Sequence, residues 1–457
     1  MRTHERFAHV GGWLTALALV CVSLLALAGP TRENRRVREN RRMRGGAPSL
    51  FFSAFDTNAI GTSGACSTTA PTGAKGEVLA FTRASNGTCT KTASGGLATT
   101  GIADGDLVVL SSNVARVEYD SNGVLGLLVE SAGDNKCLSS QEIENAAWIK
   151  EGSSAPFEPA VGVNDAGSPD GTQTGDAVHF AATSGTDYSD LYQLWTTGAA
   201  GDPTTCSAFV KAVAPMDGGV AVSTTIDICL YDGAAWSCGD CIVPVGSSTR
   251  CVKSDEAGSG TTNRYCKIGN NSGQNGGVAR AAADVSVWGI QGEPKAYATS
   301  YIPTAGAAST RAADSSLDLA AIALAPPFCM GATITGITGA SLDSAERGLL
   351  QYNNEWGLGS ASNQGRTVRA GVGGVSSGTA GVPSITSSVR YSMSRNTGGA
   401  QVTVCTNSSC SAATNLAGAT TASGVLEIGR ADATFTQTYA EGIISRVVVD
   451  LSEERCR

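Results

Sequence analysis

At 457 residues the chain is long enough for two or three domains, each with a core of its own. Only 16% of its residues are charged, against roughly 25% in ordinary globular proteins; 57 glycines and a 42% hydrophobic fraction rich in small side chains suit short strands and tight turns far better than helices. The net charge is −8, but residues 1–30 carry +1 and residues 31–44 carry +5, so residues 45–457 carry −14, which argues against nucleic acid as a partner.

The chain opens with Arg2 and Arg6 ahead of "WLTALALVCVSLLALAG" (13–29), 17 apolar or small residues that end in an A-x-A-like cleavage pattern. That length is short for a spanning helix, which needs roughly 20 residues, so residues 1–30 read as a secretory signal or, failing cleavage, a signal anchor. "RENRRVRENRRMR" (32–44) follows, a six-residue unit repeated twice with seven Arg against two Glu. Residues 31–48 read as a solvated tether. Their positive charge opposes translocation and favours the cytoplasmic side of a membrane.

Beyond residue 45 the pattern is one of short alternating runs broken by Gly, Asp, Asn and Ser. The runs include "DLVVLS" (106–111), "ARVEYD" (115–120), "GDAVHFAAT" (175–183), "CSAFVKAV" (206–213), "VAVSTTIDICLY" (220–231) and "VSVWGIQ" (285–291). "ATITGI" (332–337), "VRYSMSR" (389–395), "AQVTVC" (400–405), "VLEIGR" (425–430) and "GIISRVVVD" (442–450) complete the set. Even spacing with turn signals is the signature of β-sandwiches. One or two helical turns are expected only at 139–148. Seams are expected where residues 49–115 lead into the first sandwich and near residue 310, where "SYIPTAGAASTRAADSS" interrupts the strands.

Cysteine chemistry turns on histidine. Cys21 lies in the signal, leaving 13 cysteines, while the only histidine after the signal is His179. The run Cys229, Cys238, Cys241, Cys251, Cys266 lacks the second C-x-x-C of a four-thiolate zinc site. The same run has a Tyr-Asp-Gly turn at 231–233, as in a hairpin. Disulfides in an oxidising compartment are the reading, with the pairings among these five left open. Cys405 and Cys410 bracket four residues and are expected to close a hairpin; Cys329 and Cys456 are placed to join the ends of the last domain. With 13 thiols, one is free or pairs between chains.

A lone strand histidine removes Ser–His and Cys–His catalysis. Glu142 and Glu144 have alternate spacing but no third carboxylate in a glycosidase pattern, and no phosphate-cradling or calcium-loop motif occurs. Binding remains. With aromatics at 6%, each one is informative, because sugar recognition needs a flat ring for the apolar face of a pyranose and polar neighbours for its hydroxyls. Trp148 and Trp288 read as core. In "DLYQLWTTG" either Tyr192 or Trp195 faces solvent, Tyr231 and Trp236 flank the turn, and "QYNNEWGLG" sets Tyr352 and Trp356 around Asn353, Asn354 and Glu355.

An ordered set of segments carries a resemblance. "FTRAS" (81–85), "ARVEYDSNGVLGLLVES" (115–131), "IENAAWIK" (143–150), "SPDGTQTGDAVHF" (168–180), "CSAFVKAV" and "VSVWGIQGEPKAYATSYIPTAGAASTRAADS" (285–315) resemble a family common in phage tail-fibre and head-fibre proteins and related bacterial surface proteins. Their middle portion is a carbohydrate-binding-module-like jelly roll, which implies that fold for residues 116–310. "VRYSMSRNTGGAQVTVC", "LEIGR" and the closing "GIISRVVVDLSEE" resemble a laminin-G-like (concanavalin-type) jelly roll over 316–457. That second resemblance implies one calcium ion in some members, for which Asp343 or Asp432 would serve. An export signal and many cysteines set this chain apart from the phage relatives. The expectation is an all-β chain with two jelly-roll β-sandwiches in tandem after the N-terminal segment. It is expected to act as an exported, non-catalytic binder of extracellular polysaccharide or glycan, without a required cofactor. A structural fibre protein, trimeric if fibre-like, is the rival from another class, and a polysaccharide hydrolase the weaker one.

Overall fold

The computed structural model describes residues 65–68, 80–91 and 100–314 with short breaks (120–122, 198, 216–218, 232–234, 256–261), and from 317 onward the strands, with side chains there limited to 329–335, 405 and 442–444. Ser49–Arg457 form one compact unit; Met1–Pro48, with the expected signal and Arg-rich tether, lies outside the described residues. The chain is all-β, and its sheets are antiparallel throughout.

Two sheets make the first sandwich. The six-stranded sheet runs Thr100–Ile102, Ser248–Asp255, Thr204–Ala212, Ala283–Glu293, Gly175–Phe180, Ala160–Ala166. The five-stranded sheet runs Trp236–Val243, Thr224–Tyr231, Asn263–Asn271, Tyr188–Thr196, Ile149–Gly152. Alternation along each strand decides what is buried. Ile226, Ile228, Leu230, Leu191 and Ile268 from one sheet meet Ala208, Val210, Val285, Val287, Val178 and Phe180 from the other in one core cluster. Each of these side chains other than that of Ala208 contributes about 1.5–3 kcal/mol on full burial.

Cys206–Cys266 and Cys241–Cys251 tie the two sheets together through this core, and Cys229–Cys238 links directly opposite residues of one hairpin. All five cysteines of the 229–266 run are therefore disulfide-bonded, as their setting implied. Cys66–Cys89 adds a fourth bridge in the lead-in. Cys329 and Cys405 are disulfide-bonded too, and Cys405 stands opposite Cys410 in the strand register; the Cys410 side chain and Cys456 lie outside the described residues. Cys137 is the free thiol among the described residues, fully buried, and burial pushes it up to about 12. It is inert as a nucleophile at neutral pH.

The expected helix at 139–148 is instead a chain of turns, with Glu142, Asn145 and Trp148 each bonding back to the carbonyl three residues earlier. Side chains have taken the amides that a helix would use: Ile143 N–H donates to Asp176 at 2.6 Å and Ala147 N–H to Asn145 at 3.0 Å. Trp148 is core, as expected, and its indole N–H donates to Ser139.

Gly87–Thr90 pairs with Leu107–Leu110 and Gly133–Asn135 with Ser309–Arg311 in two-stranded sheets. The other strands form a seven-stranded sheet (Ala80–Phe81, Leu317–Ala323, Ser423–Ile428, Arg347–Tyr352, Trp356–Ala361, Thr367–Val372, Val375–Gly381) and an eight-stranded one. The latter runs Ser409–Cys410, Gln401–Thr406, Val389–Arg395, Phe328–Gly336, Gly442–Asp450, Leu125–Val129, Val117–Tyr119, with Thr414–Asn415 beside Gln401–Thr406. The sheets do not divide at residue 310. Phe81 pairs with Leu317, and Val129 pairs with Gly442, so one strand of the lead-in and one from just beyond it complete the sheets of the C-terminal half.

Three of the segments that carry the resemblance, at 81–85, 115–131 and 285–315, meet in one buried ion network. Arg83 of "FTRAS" donates to Asp314 of "TRAADS" at 3.1 Å, while Arg116 of "ARVEYD" pairs with Asp314 and Glu130, and Arg311 with Glu130 at 3.3 Å. All five side chains are at most 2% exposed. Glu130 is held down to about 2: burial opposes its charge, but Arg116 and Arg311 and the Ser300 hydrogen bonds outweigh it. Burial pushes the neighbouring Glu118 up to about 8, so it is protonated at neutral pH. These ion pairs fasten Arg83 and Arg116 to the 300–314 segment.

Candidate functional site

The outer face of the five-stranded sheet collects the aromatics. Along Tyr188–Thr196, Leu191 and Trp195 enter the core, which leaves Tyr188, Asp190, Tyr192 and Leu194 on the other side. On Asn263–Asn271, buried Cys266 and Ile268 put Tyr265, Lys267, Gly269 and Asn271 outward. On the hairpin, Ile226, Ile228 and Leu230 point in, so Asp227, Cys229 and Tyr231 point out. Register then builds the surface: Tyr192 lies opposite Lys267, Tyr265 opposite Tyr231, and Tyr231 opposite Trp236.

The rings pack against one another, tilted by 43–71° between planes, into one aromatic platform. Tyr231 and Trp236 centroids are 5.2 Å apart, Tyr231 and Tyr265 5.5 Å, Trp236 and Tyr265 5.8 Å, and Tyr192 and Tyr265 5.8 Å. All four are half-buried. Lys267 lies across them, its ammonium 4.3 Å from the Trp236 centroid, 5.2 Å from Tyr192 and 5.3 Å from Tyr188. Its salt bridge to Asp190 is 3.0 Å long. A buried cation held on three rings and one carboxylate fixes the tilt of those rings.

Beside the platform runs a polar row. Asp190, Gly269 and Asp227 stand side by side on three neighbouring strands. Gly269 has φ +154, and a Cβ there would meet Ser189 O at 2.3 Å and Asp190 Cα at 2.6 Å, so no other residue fits this close approach of strands. Asp190 accepts from Asn271 Nδ2 at 2.7 Å, and burial lifts its carboxyl to about 6 against the pull of Lys267. Asp227 accepts from Arg280 Nη2 at 2.6 Å, Asn275 Nδ2 at 2.7 Å and Asn271 N–H at 2.7 Å; Arg280 also pairs with Asp240. On the far edge Tyr188 donates to Glu151 at 3.3 Å. Burial, with Glu151 next to it, pushes the Tyr192 phenol up to about 12.

Of the residues expected at a ligand site, the structure brings Tyr192, Tyr231 and Trp236 together. Trp195 is excluded: it is 5% exposed in the sandwich core, its ring against Gly292 and Cys137, because it shares the inward face with Leu191. Tyr352 and Trp356 face each other as strand partners, but their side chains, and Asn353 with its neighbours, lie outside the described residues. So do Asp343 and Asp432. Sequence reasoning missed Tyr265, Lys267, Asp190 and Arg280. The signal was available, since the neighbours of a core cysteine in "NRYCKIG" must face outward.

His179 sits on the exterior with Nδ1 2.9 Å from Asp284 and no nucleophile in its bonding. Among the described residues no cluster of three or more His, Cys, Asp or Glu is arranged to hold a metal ion, and no helix is long and apolar enough to cross a membrane. The four defined disulfides fit an oxidising compartment. No protein-family model and no curated protein matches the chain.

Proposed function

We propose that the protein is an exported, non-catalytic glycan-binding or adhesive protein that takes extracellular polysaccharide on the outer face of the five-stranded sheet. The observation that carries this reading is the platform: Tyr192, Tyr231, Trp236 and Tyr265 share one solvent-facing surface, held by Lys267, with carboxylates and amides alongside. Rings of this kind stack on the C–H face of a pyranose while neighbouring carboxylates and amides accept and donate to its hydroxyls. The apolar 13–29 segment and the disulfides support export to the cell surface or beyond. The reading requires no calcium on this face, where Lys267 and Arg280 pair with Asp190 and Asp227.

The test is a glycan-array screen of the purified, oxidised protein, with and without chelator, followed by titration of the best hit. Trp236→Ala and Tyr192→Ala are each expected to weaken binding at least about tenfold, equivalent to about 1.4 kcal/mol, with circular dichroism unchanged, and chelator is expected to change nothing. A folded, fully disulfide-bonded protein that binds no glycan would sink the reading and leave the structural appendage in its place.

A further inference from the structure

The platform's charges distinguish one class of glycan from another. Recognition of a uronate, sialate or sulfate needs a cation with hydrogen-bond donors left over for the ligand, most effectively an arginine fork. Two cations belong to this face. Lys267 is 5% exposed, committed to Asp190 at 3.0 Å and covered by the rings of Trp236, Tyr192 and Tyr188. Arg280 is 8% exposed and shared between Asp227 and Asp240. Against these two stand four carboxylates, Glu151, Asp190, Asp227 and Asp240, and the charge that reaches solvent is negative, since the Asp240 side chain is 61% exposed. The surrounding body adds to this field, with −14 on residues 45–457.

Resting on the glycan-binding reading above, we infer that the face selects uncharged glycans, neutral hexose or N-acetylhexosamine polymers, and rejects acidic ones. Rings take the apolar face of a neutral pyranose, and Asp240 and Glu151, at the two edges of the sheet, accept from hydroxyls of different sugar units of the polymer. A ligand carboxylate or sulfate arriving at the same place meets carboxylates and finds both cations occupied. Freeing Arg280 or Lys267 for it would leave Asp227 or Asp190 buried without its counter-charge, which costs more than the new contact returns.

The experiment titrates the full-length oxidised protein with neutral hexasaccharides (gluco-, manno-, galacto- and chito-) and with acidic probes (oligogalacturonate, oligoalginate and a heparin hexasaccharide), at 20 and 150 mM salt. Expected is binding of at least one neutral probe that is lost in Trp236→Ala. Every acidic probe should be at least tenfold weaker than that neutral one, with a gap that narrows as salt rises. Asp240→Lys, which places a free ammonium at the rim while Arg280 keeps Asp227, should shrink the gap severalfold. An acidic probe bound as tightly as the best neutral one, through Trp236, would overturn this inference while leaving the glycan reading intact. If no probe binds the folded protein, the glycan reading itself falls, and this one with it.

Discussion

On the outer face of the six-stranded sheet Phe209 and Trp288 are 3% and 1% exposed, closed over by Tyr301, Ile102 and Leu107. On the outer face of the five-stranded sheet Tyr192, Tyr231, Trp236 and Tyr265 keep half-buried rings. The two sheets of one sandwich thus present similar aromatic rows, and what separates them is the rest of the chain. Lead-in strands and the 295–314 segment lie over the first row and turn it into a second core; nothing among the described residues lies over the second. Even the backbone is adapted to the covered side. Gly289, at φ +63 in a bulge, lets Trp288 point outward and Ile290 inward, and a Cβ there would press on Phe209 and Tyr301 at 3.1 and 3.2 Å. An exposed aromatic row is therefore informative only after its cover has been accounted for.

The contrast can be broken most severely at the fastening. Arg116→Met leaves Asp314 and Glu130 short of a buried counter-charge, and a loss of about 3–5 kcal/mol is expected in chemical denaturation. Trp288→Ala should cost about 3–5 kcal/mol and leave glycan binding by the surviving folded protein unchanged, whereas Trp236→Ala should abolish binding at a cost near 1 kcal/mol. If the two variants change places in a paired melt and binding assay, the assignment of one face to stability and the other to ligand fails.

The disulfides sharpen the same comparison. Cys206–Cys266 spans a separation of 60 residues through the core and Cys229–Cys238 only 9 on the ligand face. From loop lengths alone, replacing the first pair by Ala should destabilise by about 1.7 kcal/mol more than replacing the second. The same fastening also answers to pH. Glu118 has a folded pKa of about 8, above its unfolded value. The unfolded chain therefore releases that proton first, and stability falls as pH rises from about 4.5 to 8, by at most about 1.4 kcal/mol per pH unit. Glu118→Gln should flatten this slope in melts recorded from pH 5 to 8. Glu130, held near 2, works the other way and withdraws stability as pH falls below about 4.5.

Much of this was legible in the residues and some was not. Alternation in "TTIDICLY" and the Tyr-Asp-Gly turn were enough to pair Tyr231 with Trp236, since a hairpin is local. Alternation in "DLYQLWTTG" reduced Tyr192 and Trp195 to a choice, which only the position of the core could settle. Tyr265 and Lys267 went unread because their strand has little apolar content beyond Cys266 and Ile268. The family-like segments were visible as a set, yet their charges looked like surface residues; that Arg83, Arg116, Glu130 and Asp314 meet in the interior is a long-range fact that local composition does not encode. The seam near 310 marked a change of composition, not of hydrogen bonding, and pairing of Phe81 with Leu317 has no local signature.

That long-range pairing sets a timetable for assembly. Leu125–Val129 emerges early from the ribosome or the export channel, but its partner Gly442–Asp450 follows more than three hundred residues later. Until it arrives, one edge of a hydrophobic strand waits unpaired while the disulfides are still forming. Folding of this kind is slow because loop closure must precede the contacts that reward it. The aromatic face of the five-stranded sheet, built from residues 149–280, needs no such wait. That face can be complete while the C-terminal sheets are still being made.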